Sequence, residues 1–235
     1  MRMVEVAELD LSFTPAPWSF AAARASDIAA HWAELTAKKP ALYNGRVLLA
    51  RCRLETDAGR AILRGAFFET DYASFAAWRA FGYPGEPVEN CFSMAALKTA
   101  DGAFLLGEMA AHTHNGGQVY FPAGTPDPSD IFGGRVDLDA SARRELFEET
   151  GIDAAAATIA PGWTVFLAGP KIACMKLMTL PFAAEEARAR IEAFLARDPE
   201  AEFSRIHVVR AAGDLDESRT PPFVTAYLKA ALSNP

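Results

Sequence analysis

The sequence ASARRELFEETGI occupies residues 140–152 and carries three glutamates at helical spacing. Glu145, Glu148 and Glu149 stand at relative positions i, i+3 and i+4, so a helix places their carboxylates on one face. Three like charges on one face repel one another unless a cation lies among them, and hard oxygen ligands at this density suit Mg²⁺ or Mn²⁺. The pattern therefore predicts a divalent metal site on a helix.

The residues around the glutamates predict where this helix begins and ends. Asp137 and Asp139 are N-cap candidates ahead of it, and Gly151 stands where a left-handed residue would end it. Arg144 precedes Glu148 by one helical turn and can form an ion pair with it. An acidic face with arginine partners is also typical of an ordinary solvated helix, so a purely structural role stays open.

The string RELFEETGI, residues 144–152, resembles the C-terminal half of the Nudix box at every specified position. The resemblance implies an α/β fold, an α/β/α sandwich with a mixed sheet, in which a loop, a helix and a loop hold divalent metal against a diphosphate. It also implies a reaction, the hydrolysis of a nucleoside diphosphate linked to another group, X.

The same resemblance implies roles for individual residues. The metal ligands are Glu145, Glu148 and Glu149. Arg144 orients one of these glutamates. Glu149 is the first choice for the general base, and Glu202, just ahead of a predicted strand, is the second.

The upstream half of the box departs from the family pattern. Val136 stands where the pattern has a Glu, and Asp130 stands where it has a Gly. The stretch FPAG resembles the strand end that precedes the box, which makes Gly124 a substrate-binding candidate and implies that the loop 125–135 is longer by about six residues. Arg135, at the end of that loop, is a second candidate. Four aspartates could replace the missing carboxylate: Asp127, Asp130, Asp137 and Asp139.

Composition limits the class of protein and its partners. A chain of 235 residues with 51% hydrophobic and 23% charged residues is typical of a soluble globular protein with one large or two modest domains. The net charge of −7 argues against nucleic acid as a partner, because binding to the phosphate backbone needs a basic surface. Cys52, Cys91 and Cys174 are widely spaced, which predicts buried thiols in a reducing cytoplasm. No apolar run predicts a membrane span.

The chain is expected to have two parts. The stretch GYPGEP at residues 82–87 is typical of a linker. Residues 1–87 are therefore predicted to form an N-terminal α+β subdomain that opens with a strand at Met3–Leu11. Residues 88–235 are predicted to form the Nudix domain.

Two scattered resemblances bear on the substrate. The stretches at residues 31–32, 40–45 and 70–72 are similar to the N-terminal region of the Nudix subgroup that hydrolyses UDP-sugars, which makes Tyr43 a substrate-binding candidate. Tyr43-Asn44-Gly45 is equally typical of a tight turn before a strand. The segment HNGGQVYFP, residues 114–122, is similar to one in coenzyme A diphosphatases but lacks their leading arginines.

The preferred hypothesis is a nucleoside diphosphate derivative as substrate, with a nucleotide sugar as the favoured member of that class. Four tyrosines are available to stack on its base: Tyr43, Tyr72, Tyr83 and Tyr120. A coenzyme A derivative is the runner-up substrate, and a Nudix-fold binding module without turnover is the alternative from another class. His112 and His114 could bind a metal, but they lack matching ligand spacing. A homodimer is left open.

Overall fold

The computed structural model describes residues 1–233 of the chain, and in that part it is a mixed α/β protein. The helices lie at α1 Ser19–Ala23, α2 Ala25–Lys38, α3 Tyr72–Ala80, α4 Leu138–Thr150, α5 Ala184–Leu195 and α6 Pro222–Ser233. The strands of the first half lie at β1 Arg2–Val6, β2 Glu8–Phe13, β3 Arg46–Asp57, β4 Arg60–Asp71, β5 Asn90–Lys98 and β6 Phe104–Met109. The remaining strands lie at β7 Val119–Tyr120, β8 Ala123–Gly124, β9 Ile131–Phe132, β10 Arg135–Val136, β11 Thr158–Ile159, β12 Trp163–Ala168, β13 Lys171–Thr179 and β14 Phe203–Val209.

The strands form two mixed sheets, which confirms the predicted fold class. The larger sheet has the order β1-β12-β13-β5-β6-β14, with β7, β8 and β11 paired to its members, and the smaller has the order β3-β4-β2-β10-β9. Strand β13 runs parallel to β5 and β2 runs parallel to β4, whereas the other pairs are antiparallel.

Three clusters of buried side chains hold these layers together. One contains Ala142 and Leu146 of α4 with residues of the larger sheet, α5 and α6. In β5 the consecutive residues 94–97 are all buried, so both faces of the larger sheet are covered. A second cluster lies between strands of the two sheets, and a third packs α1, α2 and α3 against the smaller sheet.

The two sheets each draw strands from both sides of the predicted boundary at residue 87. The expected single strand Met3–Leu11 is wrong, because Ala7 separates β1, which pairs with β12 in the larger sheet, from β2, which pairs with β4 in the smaller one. From the other side, β10 joins the smaller sheet through the pairing of Arg135 with Ser12. The division at residues 1–87 and 88–235 remains a prediction.

The segment 125–135, expected as a plain extended loop, has structure of its own. Asp127 caps a 3₁₀ turn at Pro128–Asp130 by accepting a hydrogen bond from the Ser129 N–H, and strands β9 and β10 follow. Across residues 1–233, no helix is long and apolar enough to cross a bilayer.

Candidate active site

Helix α4 begins and ends where the sequence predicts. The Asp137 carboxylate accepts hydrogen bonds of 3.0 Å from the backbone N–H groups of Asp139 and Ala140, which have no partner within the helix. Gly151 ends the helix with φ of 68°, and a Cβ added there would lie 2.5 Å from the Phe194 ring. Leu146 is fully buried, so the helix is fixed with its glutamates toward strand β8.

The three glutamates of α4 lie at different depths. Glu149 is buried, with 3% exposure, and its carboxylate accepts a 2.9 Å hydrogen bond from the Ala123 N–H of β8. The Glu145 side chain is 12% exposed and lies so close to Gly124 that an added Cβ would be 2.0 Å from its Oε1. Glu148 is 54% exposed and pairs with Arg144 at 3.0 Å. Strand β8 therefore contacts the two deeper carboxylates, one at each of its residues.

Negative charge accumulates among these carboxylates. Burial raises the pKa of Glu145 to about 7 against the lowering effect of Arg144, and Glu148, Glu202 and Asp130 raise it further. Burial, followed by the charges of Glu145 and Glu202, raises the pKa of Glu149 well above its ordinary value. A cation would offset both burial and repulsion here.

The donor set fits a hard divalent cation. Carboxylate oxygens are the ligands that Mg²⁺ and Mn²⁺ prefer, and the absence of a side chain at Gly124 lets the Glu145 carboxylate lie against β8. Among the residues described, no group of three or more His, Cys, Asp or Glu side chains is already arranged to coordinate a metal ion.

Asp130, one of the four aspartates that could replace the missing box glutamate, contacts the acidic helix through Arg144. It is buried, with 2% exposure, and accepts hydrogen bonds of 3.1 and 3.4 Å from Nη2 of Arg144. Arg144 also contacts Glu145 at 2.8 Å, so one guanidinium links the inserted segment to the acidic helix. Although burial acts in the opposite direction, Glu145 and Asp130 raise the pKa of Arg144 above its ordinary value. Val136 itself is buried in the core.

The other three candidate aspartates have separate local roles. Asp127 caps the 3₁₀ turn and Asp137 caps α4, as described above. Asp139 forms an ion pair with Arg143 at 2.5 Å. Asp130 is therefore the one of the four that contacts Arg144 within the described part of the chain.

A cavity of about 630 Å³ lies against strand β8. Ala123 and Gly124 form part of its wall, and Glu202 lies on it too. Glu202 is exposed at the surface, yet enough protein surrounds its carboxylate for burial to raise its pKa, with Glu148 adding to the effect. Apolar residues of both halves of the chain line other parts of the wall: Leu42, Val47, Phe75, Phe92, Met94, Met109 and Phe223.

The structure brings some of the predicted substrate-binding residues to this cavity and leaves others outside. Gly124 lines it, and so do Tyr72 and Tyr120. Tyr43 does not line it, because the residue is 83% exposed in the turn before β3 and its ring lies against Gly45. Arg135 does not line it either, because it pairs with Asp10 at 2.8 Å on the smaller sheet. Tyr83 packs on the Trp78 ring at 4.9 Å.

Two basic residues on the cavity wall were not found by sequence reasoning. Arg79 comes from the last turn of α3, and Lys171 is the first residue of β13. Nothing in the local sequence of either marks it as functional. His112 and His114, considered from the sequence as metal ligands, line the cavity together with Asn115.

The NUDIX domain model matches residues 91–216, and the chain belongs to this family. It is a Nudix-type diphosphate hydrolase. None of the curated proteins compared with the chain matches it.

Similar solved structures include the MutT protein from Methanosarcina mazei Go1, at 19% identity and a TM-score of 0.42, covering 61% of this chain and 92% of the other. The Nudix hydrolase RenU from M. smegmatis is 15% identical with a TM-score of 0.40, covering 62% and 86%. A bifunctional NMN adenylyltransferase/ADP ribose pyrophosphatase from Francisella tularensis, complexed with AMP and a Mn ion, is 15% identical with a TM-score of 0.43, covering 66% and 44%.

Proposed function

We propose that this protein is a metal-dependent hydrolase of the diphosphate bond in a nucleoside diphosphate linked to X, with a nucleotide sugar as the preferred substrate. One observation carries the proposal: the two residues of β8 contact the carboxylates of Glu145 and Glu149 and also line a cavity of about 630 Å³. A cavity of that size is within the range of small-molecule sites. A diphosphate placed against Ala123 and Gly124 would lie beside the acidic helix.

The residues on and around the acidic helix have three proposed roles: metal binding, orientation of the metal ligands, and positioning of Arg144. Glu145, Glu148 and Glu149 would hold Mg²⁺ or Mn²⁺, which when bound supplies positive charge to phosphate oxygens and lowers the pKa of coordinated water. Arg144 orients Glu148 and Glu145 through contacts of 3.0 and 2.8 Å. Asp130 in turn fixes Arg144.

The position of Glu202 makes it the better candidate for the general base. The sequence favoured Glu149, but that carboxylate is buried behind Ala123 and already accepts its N–H. Glu202 lies on the cavity wall, where a carboxylate could accept a proton from water. Its raised pKa strengthens it as a proton acceptor.

Aromatic side chains in the cavity support a nucleoside as part of the substrate. Tyr72 and Phe75 contribute from the N-terminal half, and Phe92 and Phe223 contribute from the other half. A base that stacks on such a ring gains on the order of 1–3 kcal/mol. Cys52, Cys91 and Cys174 are free thiols, which supports the cytoplasm as the compartment.

The test is a panel of UDP-sugars, ADP-ribose, dinucleoside polyphosphates, NADH and coenzyme A, assayed for phosphate release after coupling to a phosphatase. We expect turnover with Mg²⁺ or Mn²⁺, none in chelator, and a nucleotide sugar as the best substrate. Coenzyme A cleaved at least tenfold better than every nucleotide sugar would replace the preferred substrate class. Specific Mg²⁺ binding without turnover of any compound would favour the binding module instead.

A variant with Glu145, Glu148 and Glu149 all changed to Gln tests the assignment of the metal ligands. The matched control changes Glu185, Glu186 and Glu192 to Gln on α5, a helix of similar length whose glutamates do not line the cavity. Turnover retained by the first variant at the level of the control would refute the proposed ligands.

A further inference from the structure

Two cationic side chains face one cavity without a carboxylate to neutralise them. Arg79 and Lys171 both line the cavity, and within residues 1–233 neither forms a salt bridge. Arg79 lies with its guanidinium 5.4 Å from the centre of the Phe75 ring, and Nη2 donates a long hydrogen bond of 3.4 Å to Oδ1 of Asn115. Most other arginines of the chain are paired with Asp or Glu.

The two positive charges are close enough to affect each other. Burial lowers the pKa of Lys171, and the charge of Arg79 lowers it further. Both residues are half-buried, so solvent screens this repulsion incompletely. An anion between them would offset the repulsion, and arginine and lysine both commonly bind phosphate.

Neutral hydrogen-bonding groups surround the two cations. Asn90 pairs with Lys171 across the sheet, and its Oδ1 lies 3.3 Å from Oγ1 of Thr125. Beside Arg79, Nδ2 of Asn115 donates a 3.2 Å hydrogen bond to the Tyr120 hydroxyl. These polar groups can contact phosphate oxygens and orient a ligand without adding charge.

His114 gives a second, independent sign of a ligand. It lines the same cavity, and its Nδ1 is buried without a hydrogen-bond partner in the described residues. A buried polar atom without a partner costs roughly 1–3 kcal/mol, so a ligand that bonds to it is favoured. Burial, with Arg79, Lys39 and His31, lowers the pKa of His114 to about 4, so the ring is neutral and can donate a proton to an acceptor.

We propose that Arg79 and Lys171 form a phosphate-binding subsite, with His114 and Asn115 as its neutral partners. The proposal rests on the proposed function, because it assigns the subsite to the phosphate groups of the same substrate. The phosphate can be part of the scissile diphosphate or a further phosphate elsewhere on the substrate. Arg79 thereby gives the N-terminal half of the chain a direct role in substrate choice.

The first test measures anion binding without turnover. Inorganic pyrophosphate is titrated into the metal-free protein in chelator and followed by calorimetry. We expect Arg79→Met and Lys171→Met each to weaken binding at least tenfold, Arg79→Lys to retain part of it, and the surface control Arg188→Met to match the wild type. Equal binding by the wild type and both Met variants would overturn the subsite. Glu149→Gln, which should abolish turnover, is expected to leave this binding intact, so the subsite and the hydrolase activity can fail separately.

The second test identifies which phosphate is bound. The matched ligands are ADP-ribose and ADP-ribose 2′-phosphate, which differ by one terminal phosphate, and each is tested as substrate or as competitor of the best substrate. If Arg79→Met and Lys171→Met reduce the affinity for both ligands by a similar factor, the subsite is assigned to the diphosphate. A loss confined to the phosphorylated ligand assigns it to the further phosphate. Unchanged values for both ligands in variants whose melting temperature matches the wild type would overturn the proposal.

Discussion

The acidic and the basic ends of the candidate active site are built in different ways, because the acidic end lies beside the cavity and the basic end lies on its wall. The acidic end comes mainly from one helix, in which Glu145, Glu148 and Glu149 follow one another within two turns. The basic end brings together Arg79 from α3 and Lys171 from β13, with His114 from the loop between β6 and β7. A site on one helix is visible in the sequence as a spacing, whereas a site assembled from distant segments has no local pattern. The same candidate site therefore contains one half that sequence reasoning finds and one half that it does not.

The largest expected effect tests whether the acidic end performs the chemistry. Glu148→Gln should lower kcat by at least about 100-fold, the scale for loss of a metal ligand or proton acceptor. The fold should remain, because Glu148 is 54% exposed. The measurements are steady-state kinetics and circular dichroism, with Glu192→Gln as control. A variant that unfolds would show instead that the acidic face is structural.

A smaller effect is expected where the two ends meet at β8. Gly124→Ala would place a Cβ 2.0 Å from Oε1 of Glu145, so that flexible side chain must move away from its position. We expect kcat to fall by about 10- to 100-fold, as for a small misplacement of a catalytic group, with the melting temperature nearly unchanged. Gly213→Ala is the control, since an added Cβ there meets nothing within 4 Å. Normal kcat in Gly124→Ala would argue against a role for the position of Glu145.

The ion pair between Asp130 and Arg144, which connects the acidic end to the segment 125–135, can be removed by changing Asp130. Asp130→Asn keeps the shape of the side chain but removes the charge that pairs with Arg144. In the variant, Arg144 still has Glu145 and Glu148 as partners. We expect the free energy of unfolding to fall by about 1–3 kcal/mol, since a buried partner of a charged group is lost. Urea denaturation measures it, with Asp127→Asn in the same turn as the comparison. An equal loss in both variants would assign the effect to the turn and not to the ion pair.

The two ends are expected to affect the pH dependence of stability in opposite directions. The pKa of Glu145 rises from 4.5 to about 7 on folding, so the metal-free native state keeps a proton that the unfolded chain releases, and stability falls as pH rises through that window. The pKa of His114 falls from 6.5 to about 4, so the unfolded chain holds the extra proton and stability rises with pH between those values. One proton contributes at most about 1.4 kcal/mol per pH unit, and less for the half-buried His114.

Two variants separate these opposing slopes. Between pH 4.5 and 6.5, we expect the slope of stability against pH to be larger in Glu145→Gln than in the wild type. Over the same range, we expect this slope to be smaller than in the wild type, or negative, in His114→Asn. Urea denaturation in chelator at several pH values measures both, and the difference between the variants cancels the titration of other groups. Parallel curves for the two variants would contradict the opposing contributions of the two ends.

The sequence was sufficient for elements with a strong periodic pattern or caps. Helix α4 was expected to begin after Asp137 or Asp139 and to end at Gly151, and it lies between Asp137 and Gly151. The strand expected just after Glu202 is β14. The sequence was insufficient for Met3–Leu11, because an alternating pattern does not tell which sheet a strand joins. Strands β9 and β10 have two residues each, too few for a period to appear.

The assembly of the cavity is a matter of tertiary contacts. The N-terminal half contributes to the wall through α3, through β3 and through the segment before β3, but Tyr43 of that segment does not line the cavity. Tyr43 and Arg135 were chosen from their place along the chain, and their side chains lie elsewhere. A segment that resembles one in a known family can indicate which loop lies near a site. It does not determine which side chain of that loop points into the site.

The pairing of β1 with β12 affects the order in which the chain can fold during its synthesis. Arg2 pairs with Leu167, so β1 is without its sheet partner until about 160 further residues have been translated. Contacts of such long sequence separation form slowly, because loop closure must precede them. Residues 1–6 therefore present an unpaired strand edge with the exposed Met3 for much of synthesis, and a chain released before β12 is complete is expected to be prone to aggregation.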